Sequence, residues 1–129
     1  MPFIREASLV KYKDETISTS VGSSGAVEFN FEEIWDKWKT TDKDPRQLHF
    51  IHVHPPGFDH PSTQDEICVR GFNIAFGYPV LFSIITFNDE TNMKTYQFIN
   101  GKWFESFRLK VFPLDFYWLK NTSTQLENQ

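Results

Sequence analysis

Cysteine occurs once in the 129 residues, at Cys68, so neither an internal disulfide nor a site held by four thiolates can form within the chain, and cytoplasmic residence is expected. Basic charge is not in excess either. Thirteen Lys and Arg against 17 Asp and Glu leave −4 at pH 7, the wrong sign for a surface that holds nucleic acid by neutralising phosphates, so no nucleic-acid partner is expected. Long apolar runs are missing. The longest, Val80 to Phe87, is interrupted by Ser83 and Thr86 and falls far short of the roughly 20 residues that a spanning helix needs. The opening Met1-Pro2-Phe3-Ile4-Arg5-Glu6 has neither the apolar stretch nor the cleavage site of a secretory signal, so no membrane or export step is expected. Repeats and low-complexity tracts are absent as well, which excludes solenoids and mucin-like or linker chains.

What is abundant is bulky apolar matter. Hydrophobic residues make up 40% and aromatics 17%, with 14 Phe and 4 Trp, enough for a packed core of one domain and too much for a disordered chain. One domain over residues 1–120, followed by a polar tail over 121–129, is the expected organisation.

Ala7 to Tyr12 and Thr16 to Val21 read as a hairpin around the polar Lys13-Asp14-Glu15, and Ala26 to Phe29 as a further short strand. Asn30 with Glu33 three residues on, then Phe31, Ile34, Trp35 and Trp38 at helical spacing, predicts an amphipathic helix of about three turns with the two tryptophans on its core face. Leu48 to Val53 reads as a buried strand ending at a proline-rich loop. Ser62 and Asp65 start a second helix that Gly77 stops. Val80 to Phe87 returns as a strand, Asp89 to Asn92 turns, and Met93 to Ile99 pairs through Asn100-Gly101 with Trp103 to Phe112. The aromatic cluster Phe112 to Leu119 is expected to close the core rather than expose a patch. The order predicts an α+β (mixed α/β) domain with at least one strand covered on both faces.

His52 and His54 lie two apart on a predicted strand, so both imidazoles project from one face with roughly 6 to 7 Å between their Cα atoms. Two imidazoles so placed can chelate one ion. Asp65, at the start of the next helix, can reach back over the strand end. Two neutral nitrogens and one anionic oxygen form a three-ligand zinc set with a fourth position open to water, the mark of a catalytic rather than a structural site. Taken alone, Ser62-x-x-Asp65 is an ordinary capping box and either histidine an ordinary core residue; the spacing of all of them together is what points to a metal. His49 and His60 fall outside the set, as secondary candidates for supporting or substrate contacts. Cys68 reads as a small core residue.

His52-Val53-His54-Pro55, six intervening residues, then Ser62-Thr63-Gln64-Asp65 resembles the H-x-H-P-x6-S-x-x-D signature of the JAMM (MPN+, Mov34/PAD-1) zinc metalloproteases. The helix before the H-x-H strand, the helix after it and Gly77-Tyr78-Pro79 leading into an apolar strand are similar to the prokaryotic branch. His54-Pro55-Pro56-Gly57 with Pro61-Ser62 is also similar to the RadC-type branch. The likeness covers roughly Glu6 to Ile99. It implies a central, mostly antiparallel sheet flanked by helices, with zinc on His52, His54 and Asp65. It further implies Ser62 stabilising an oxyanion, and an early glutamate as general base; Glu6 suits that place, with Glu28 second. Two departures stand beside it: only five residues precede Glu6 where the family usually has a helix, and Val53 replaces the usual small polar residue.

The activity so implied is hydrolysis of a peptide or isopeptide bond in a protein substrate with an extended tail, such as a ubiquitin-like conjugate. The alternatives are a non-catalytic MPN-fold module that binds proteins through its aromatic surface, and a RadC-like protein with a nucleic-acid role, which the charge of −4 disfavours.

Overall fold

The computed structural model describes residues 6–22, 29–55, 57–87, 91–106 and 113–123. Among the described residues six strands form one sheet: β1 (Ala7–Tyr12), β2 (Glu15–Val21), β3 (Leu48–His54), β4 (Leu81–Phe87), β5 (Thr91–Ile99) and β6 (Lys102–Ser106). Their spatial order is β2-β1-β3-β4-β5-β6. Among the described residues only the β3–β4 pair is parallel, and a helix connects those two strands, as a parallel crossover requires; β1 and β2, and β5 and β6, are antiparallel neighbours consecutive in the chain. The fold is thus the mixed α+β, mostly antiparallel arrangement that the sequence predicts.

Among the described residues three α-helices complete it: α1 (Phe31–Trp38), α2 (Thr63–Phe76) and α3 (Pro113–Ser123). β3 is buried along its whole length, and its alternation feeds two cores. Leu48 and Phe50 join Ile34 and Trp38 of α1 and Val69, Phe72 and Phe76 of α2; Ile51 and Val53 join Ala7, Leu9, Ile85 and Leu119 of α3. The sheet therefore lies between α1 and α2 on one face and α3 on the other. Trp38 is core and Trp35 packs half-buried against it. Phe50 stacks on Phe72 with ring centroids 4.4 Å apart, an offset pairing that adds to its area burial.

Local chemistry sets the boundaries. Asn30 caps α1 by accepting from Glu33 N–H at 3.1 Å. The helix is shorter than predicted because the Thr40 and Thr41 hydroxyls donate to the Lys37 and Trp38 carbonyls, each at 2.7 Å, and close its last turn. Gly77 ends α2 with φ 68°, a left-handed conformation that glycine adopts without a Cβ penalty. Asn100 and Gly101 both have positive φ, as their hairpin turn requires.

Other boundaries differ from expectation. Thr91 and Asn92 lie inside β5 rather than in a turn; of the strand expected over Ala26 to Phe29, Phe29 is outside any strand and residues 26–28 lie outside the described residues. Of the strand predicted over Trp103 to Phe112, the structure describes β6 through Ser106, and residues 107–112 lie outside the described residues. Of the aromatic cluster, Pro113 to Leu119 lie in α3, which continues three residues past residue 120 and buries Ser123. Among the described residues, no helix is long and apolar enough to cross a membrane.

The α3 face also holds a buried polar chain. His49 Nε2 is hydrogen-bonded to Ser83 Oγ at 2.6 Å, and Ser83 Oγ to Thr95 Oγ1 at 2.7 Å. Burial, helped by the Lys11 charge, pulls the His49 pKa from 6.5 down to about 3.

Two outcomes follow. Phe50→Ala should cost about 3–5 kcal/mol, the range for emptying a packed aromatic site, whereas Phe104→Ala on the half-exposed edge strand should stay near 0.5 kcal/mol; urea midpoints measure both. Between pH 6.5 and about 3, the unfolded chain binds a proton at His49 that the folded one does not. The folded state therefore loses stability as pH falls through that window, by up to about 1.4 kcal/mol per pH unit for one group. In metal-free protein the acid-side slope of His49→Gln should be shallower than that of the wild type; equal slopes would show that His49 does not titrate on unfolding.

Candidate metal centre

Strand pairing builds the site. Ser8 of β1 faces His52 of β3, so antiparallel register sets Glu6, one side-chain step earlier, beside His54. His52 Nε2 and His54 Nε2 point to the same space on the α1/α2 face of the sheet, with ring centroids 4.4 Å apart. Glu6, His52 and His54 are all buried. One ligand atom from each lies within 4.8 Å of the others, so together they can hold a metal ion.

Helix α2 brings the fourth group. Ser62 is its N-cap and Asp65 its third residue. Asp65 N–H donates to Ser62 Oγ at 3.1 Å, and Ser62 N–H donates to Asp65 Oδ2 at 2.8 Å. That capping box fixes the carboxylate and leaves Oδ1 free to face the histidines. Asp65 Oδ1 lies 3.4 Å from His52 Nε2, and Oδ2 lies 3.2 Å from His54 Nε2. Glu6 Oε1 stands farther off, 3.9 Å from His54 Nε2.

Protonation follows the surroundings. Complete burial pulls the His52 pKa down to about 3 against the pull of Asp65, so its ring is neutral. Burial opposes ionising Asp65, yet its hydrogen bond to His54 and the two imidazoles outweigh this and hold it below the usual carboxylate range. For His54, burial works against charge, but Asp65, the Phe58 carbonyl and Glu6 prevail and raise its pKa. His54 Nδ1 lies 2.7 Å from the Phe58 carbonyl oxygen, an acceptor only, so Nδ1 carries the hydrogen and Nε2 is the nitrogen turned to the site.

Three buried atoms make no hydrogen bond among the described residues: His52 Nδ1, His52 Nε2 and Asp65 Oδ1. Ligands held at about 2.0–2.2 Å in a tetrahedron stand roughly 3.3–3.6 Å from one another. The 3.4 Å between Asp65 Oδ1 and His52 Nε2 falls on that edge, and the 3.2 Å between Asp65 Oδ2 and His54 Nε2 just below it. Two imidazoles with a carboxylate, that of Glu6 in the buried cluster or that of Asp65 at 3.2 and 3.4 Å, are a donor set that can hold a metal ion.

The structure thus brings Glu6, His52, His54, Ser62 and Asp65 together. Glu28 lies outside the described residues. His49 is turned to the opposite face of the sheet, bound to Ser83, and His60 is exposed beside Asp59; neither joins the cluster. Cys68 packs half-buried against the core. The Phe58 carbonyl had no sequence signal, since a backbone acceptor is set by loop geometry and not by residue type. Comparison with family models, curated proteins and solved structures finds no match in any of the three.

If these groups bind a metal, a divalent transition ion at a hundredfold excess over its Kd should stabilise the chain by about 2.7 kcal/mol. The rise in unfolding temperature should vanish in His52→Ala. A rise that persists in that variant would place the ion elsewhere.

Proposed function

We propose that the protein is a zinc-dependent hydrolase that cleaves a peptide or isopeptide bond in a protein substrate. The observation that carries this reading is the pair of unsatisfied ligand atoms, His52 Nε2 and Asp65 Oδ1, fully buried and 3.4 Å apart, inside the H-x-H-P-x6-S-x-x-D spacing. In this reading His52, His54 and Asp65 hold the zinc. When bound, the metal supplies a Lewis acid that polarises a carbonyl and acidifies water.

The chain's own groups do the rest. Glu6 carries a carboxylate beside the ligand cluster, where it takes a proton from water and passes it to the departing amine nitrogen. Ser62 is exposed. Its oxygen accepts from Asp65 N–H, so its hydroxyl hydrogen remains a donor for an oxyanion. His54, steered by the Phe58 carbonyl, keeps Nε2 turned to Asp65, where it would serve as a ligand.

The loop segment of residues 57–61 leads from the cluster into α2 and favours a substrate that lies extended along it. A flexible, glycine-containing tail, such as that of a ubiquitin-like conjugate, fits this requirement. Such a conjugate should be cleaved by the zinc-loaded protein, and a chelator should stop the cleavage until zinc is restored. Glu6→Gln should retain about one zinc per chain yet turn over at least 10²-fold more slowly, the scale of losing a general base. Wild-type zinc content with no cleavage of any tailed conjugate or peptide would favour a binding module, and metal-dependent cleavage of DNA a nucleic-acid role.

A further inference from the structure

The loop between β3 and α2 connects the site to β5, two strands away in the sheet. Phe58 N–H donates to the Pro55 carbonyl at 3.1 Å, which folds the loop back so that the Phe58 carbonyl meets His54 Nδ1 at 2.7 Å. The next residue is held from the far side. Tyr96 Oη donates to the Asp59 carbonyl at 2.9 Å, and Lys94 Nζ pairs with Asp59 Oδ2 at 3.0 Å. Tyr96 is buried and packs edge-on to Trp103, centroids 6.1 Å apart, so its hydroxyl is presented from a rigid ring. Lys94 and Asp59 are each more than one third exposed, and their pairing is the weaker of the two restraints.

We infer that Tyr96, seconded by the Lys94–Asp59 pair, is a positioning residue for the metal ligand His54: it clamps Asp59, and the clamped loop holds the Phe58 carbonyl that fixes the imidazole. The inference rests on the metal-centre reading of the cluster. Neither Tyr96 nor Lys94 touches the imidazole. A ligand's outer partner sets its tautomer and ring direction, and loss of such partners typically weakens metal binding 10–100-fold. Phe58 offers a backbone carbonyl, which no side-chain substitution removes, so the clamp is where this restraint can be released.

The test compares wild type, Tyr96→Phe, Lys94→Met and, as a remote control, Arg46→Ala. Zinc affinity is read by competition with a chromophoric chelator, ligand geometry by the visible spectrum of the cobalt(II) form, and fold by thermal unfolding of the metal-free protein. Tyr96→Phe keeps the ring and its packing. It should bind zinc about 10-fold more weakly and show altered cobalt bands, while its metal-free unfolding temperature stays within about 2 °C of wild type. Lys94→Met should weaken zinc about threefold, the reach of a partly exposed ion pair, and Arg46→Ala should change nothing. Wild-type zinc affinity and cobalt bands in both Tyr96→Phe and Lys94→Met would overturn the inference and leave the metal centre standing. So would weaker binding matched by an equal loss of metal-free stability, which marks a merely structural role. If Tyr96→Phe does not fold, Lys94→Met decides by the same two readings. A wild type that binds neither zinc nor cobalt would overturn the metal-centre reading, and the inference with it.

Discussion

Everything in this molecule hangs on strand β3 being buried on both faces, so that a side-chain period of two sorts its residues between two environments. Leu48, Phe50, His52 and His54 fall to the α1/α2 side, and His49, Ile51 and Val53 to the α3 side. A slip of one residue would send every apolar anchor to the wrong layer and carry both site histidines away from Asp65. Register is therefore not a detail that the site tolerates; it is held by aromatic packing on one face and branched aliphatic packing on the other. Antiparallel pairing with β1 then delivers Glu6. The crossover to the parallel β4 obliges a helix to start just beyond the end of β3, which is how Asp65 arrives.

Period-two and period-3.6 patterns made most of this legible in the sequence. The strands, both hairpin turns flanking β2 and β6, and the capping of α1 and α2 depend on neighbours within a few residues, where residue type decides. α3 was not legible as a helix because Phe112 to Leu119 is apolar nearly throughout and shows no period. Pro113 at its first position was the available signal, since proline is favoured there. The clustering of His52, His54 and Asp65 could be argued because a strand, a short loop and a capping box have nearly fixed dimensions. The clamp on Asp59 could not: Tyr96 lies 37 residues away in sequence, and only the sheet order makes the two neighbours.

Polar burial alone does not identify the site, and β3 supplies the control. His49 and His52 are three residues apart on one strand, both buried, both with pKa values pulled to about 3. Yet His49 is hydrogen-bonded into a chain through Ser83 and Thr95, whereas both ring nitrogens of His52 make no hydrogen bond among the described residues. A satisfied buried imidazole is what a fold produces when it needs only stability. An unsatisfied one costs about 1–3 kcal/mol per group, against a total of roughly 5–15 kcal/mol for a domain.

An apolar residue in place of His52, between Phe29 and Phe82, would remove that cost. The fold instead keeps an imidazole there, and keeps Asp65 Oδ1 equally unmatched at 3.4 Å, with the other carboxylate oxygen tied to the Ser62 N–H. Two lone-pair atoms left without hydrogen bonds 3.4 Å apart can both be satisfied by one cation, and a dication would offset the desolvation of an anionic oxygen as no neutral ligand does. The same comparison gives the direction of the stability effect. His52→Phe, well packed among aromatics, should leave the metal-free protein as stable as the wild type or more so, while abolishing metal binding. His49→Phe, which takes away one of the two partners of the buried Ser83 hydroxyl, should destabilise it. Equal losses in the two variants, read by urea midpoints under a chelator, would mean that His52 has a hydrogen-bonding role in the fold itself and that its unsatisfied nitrogens do not mark a metal.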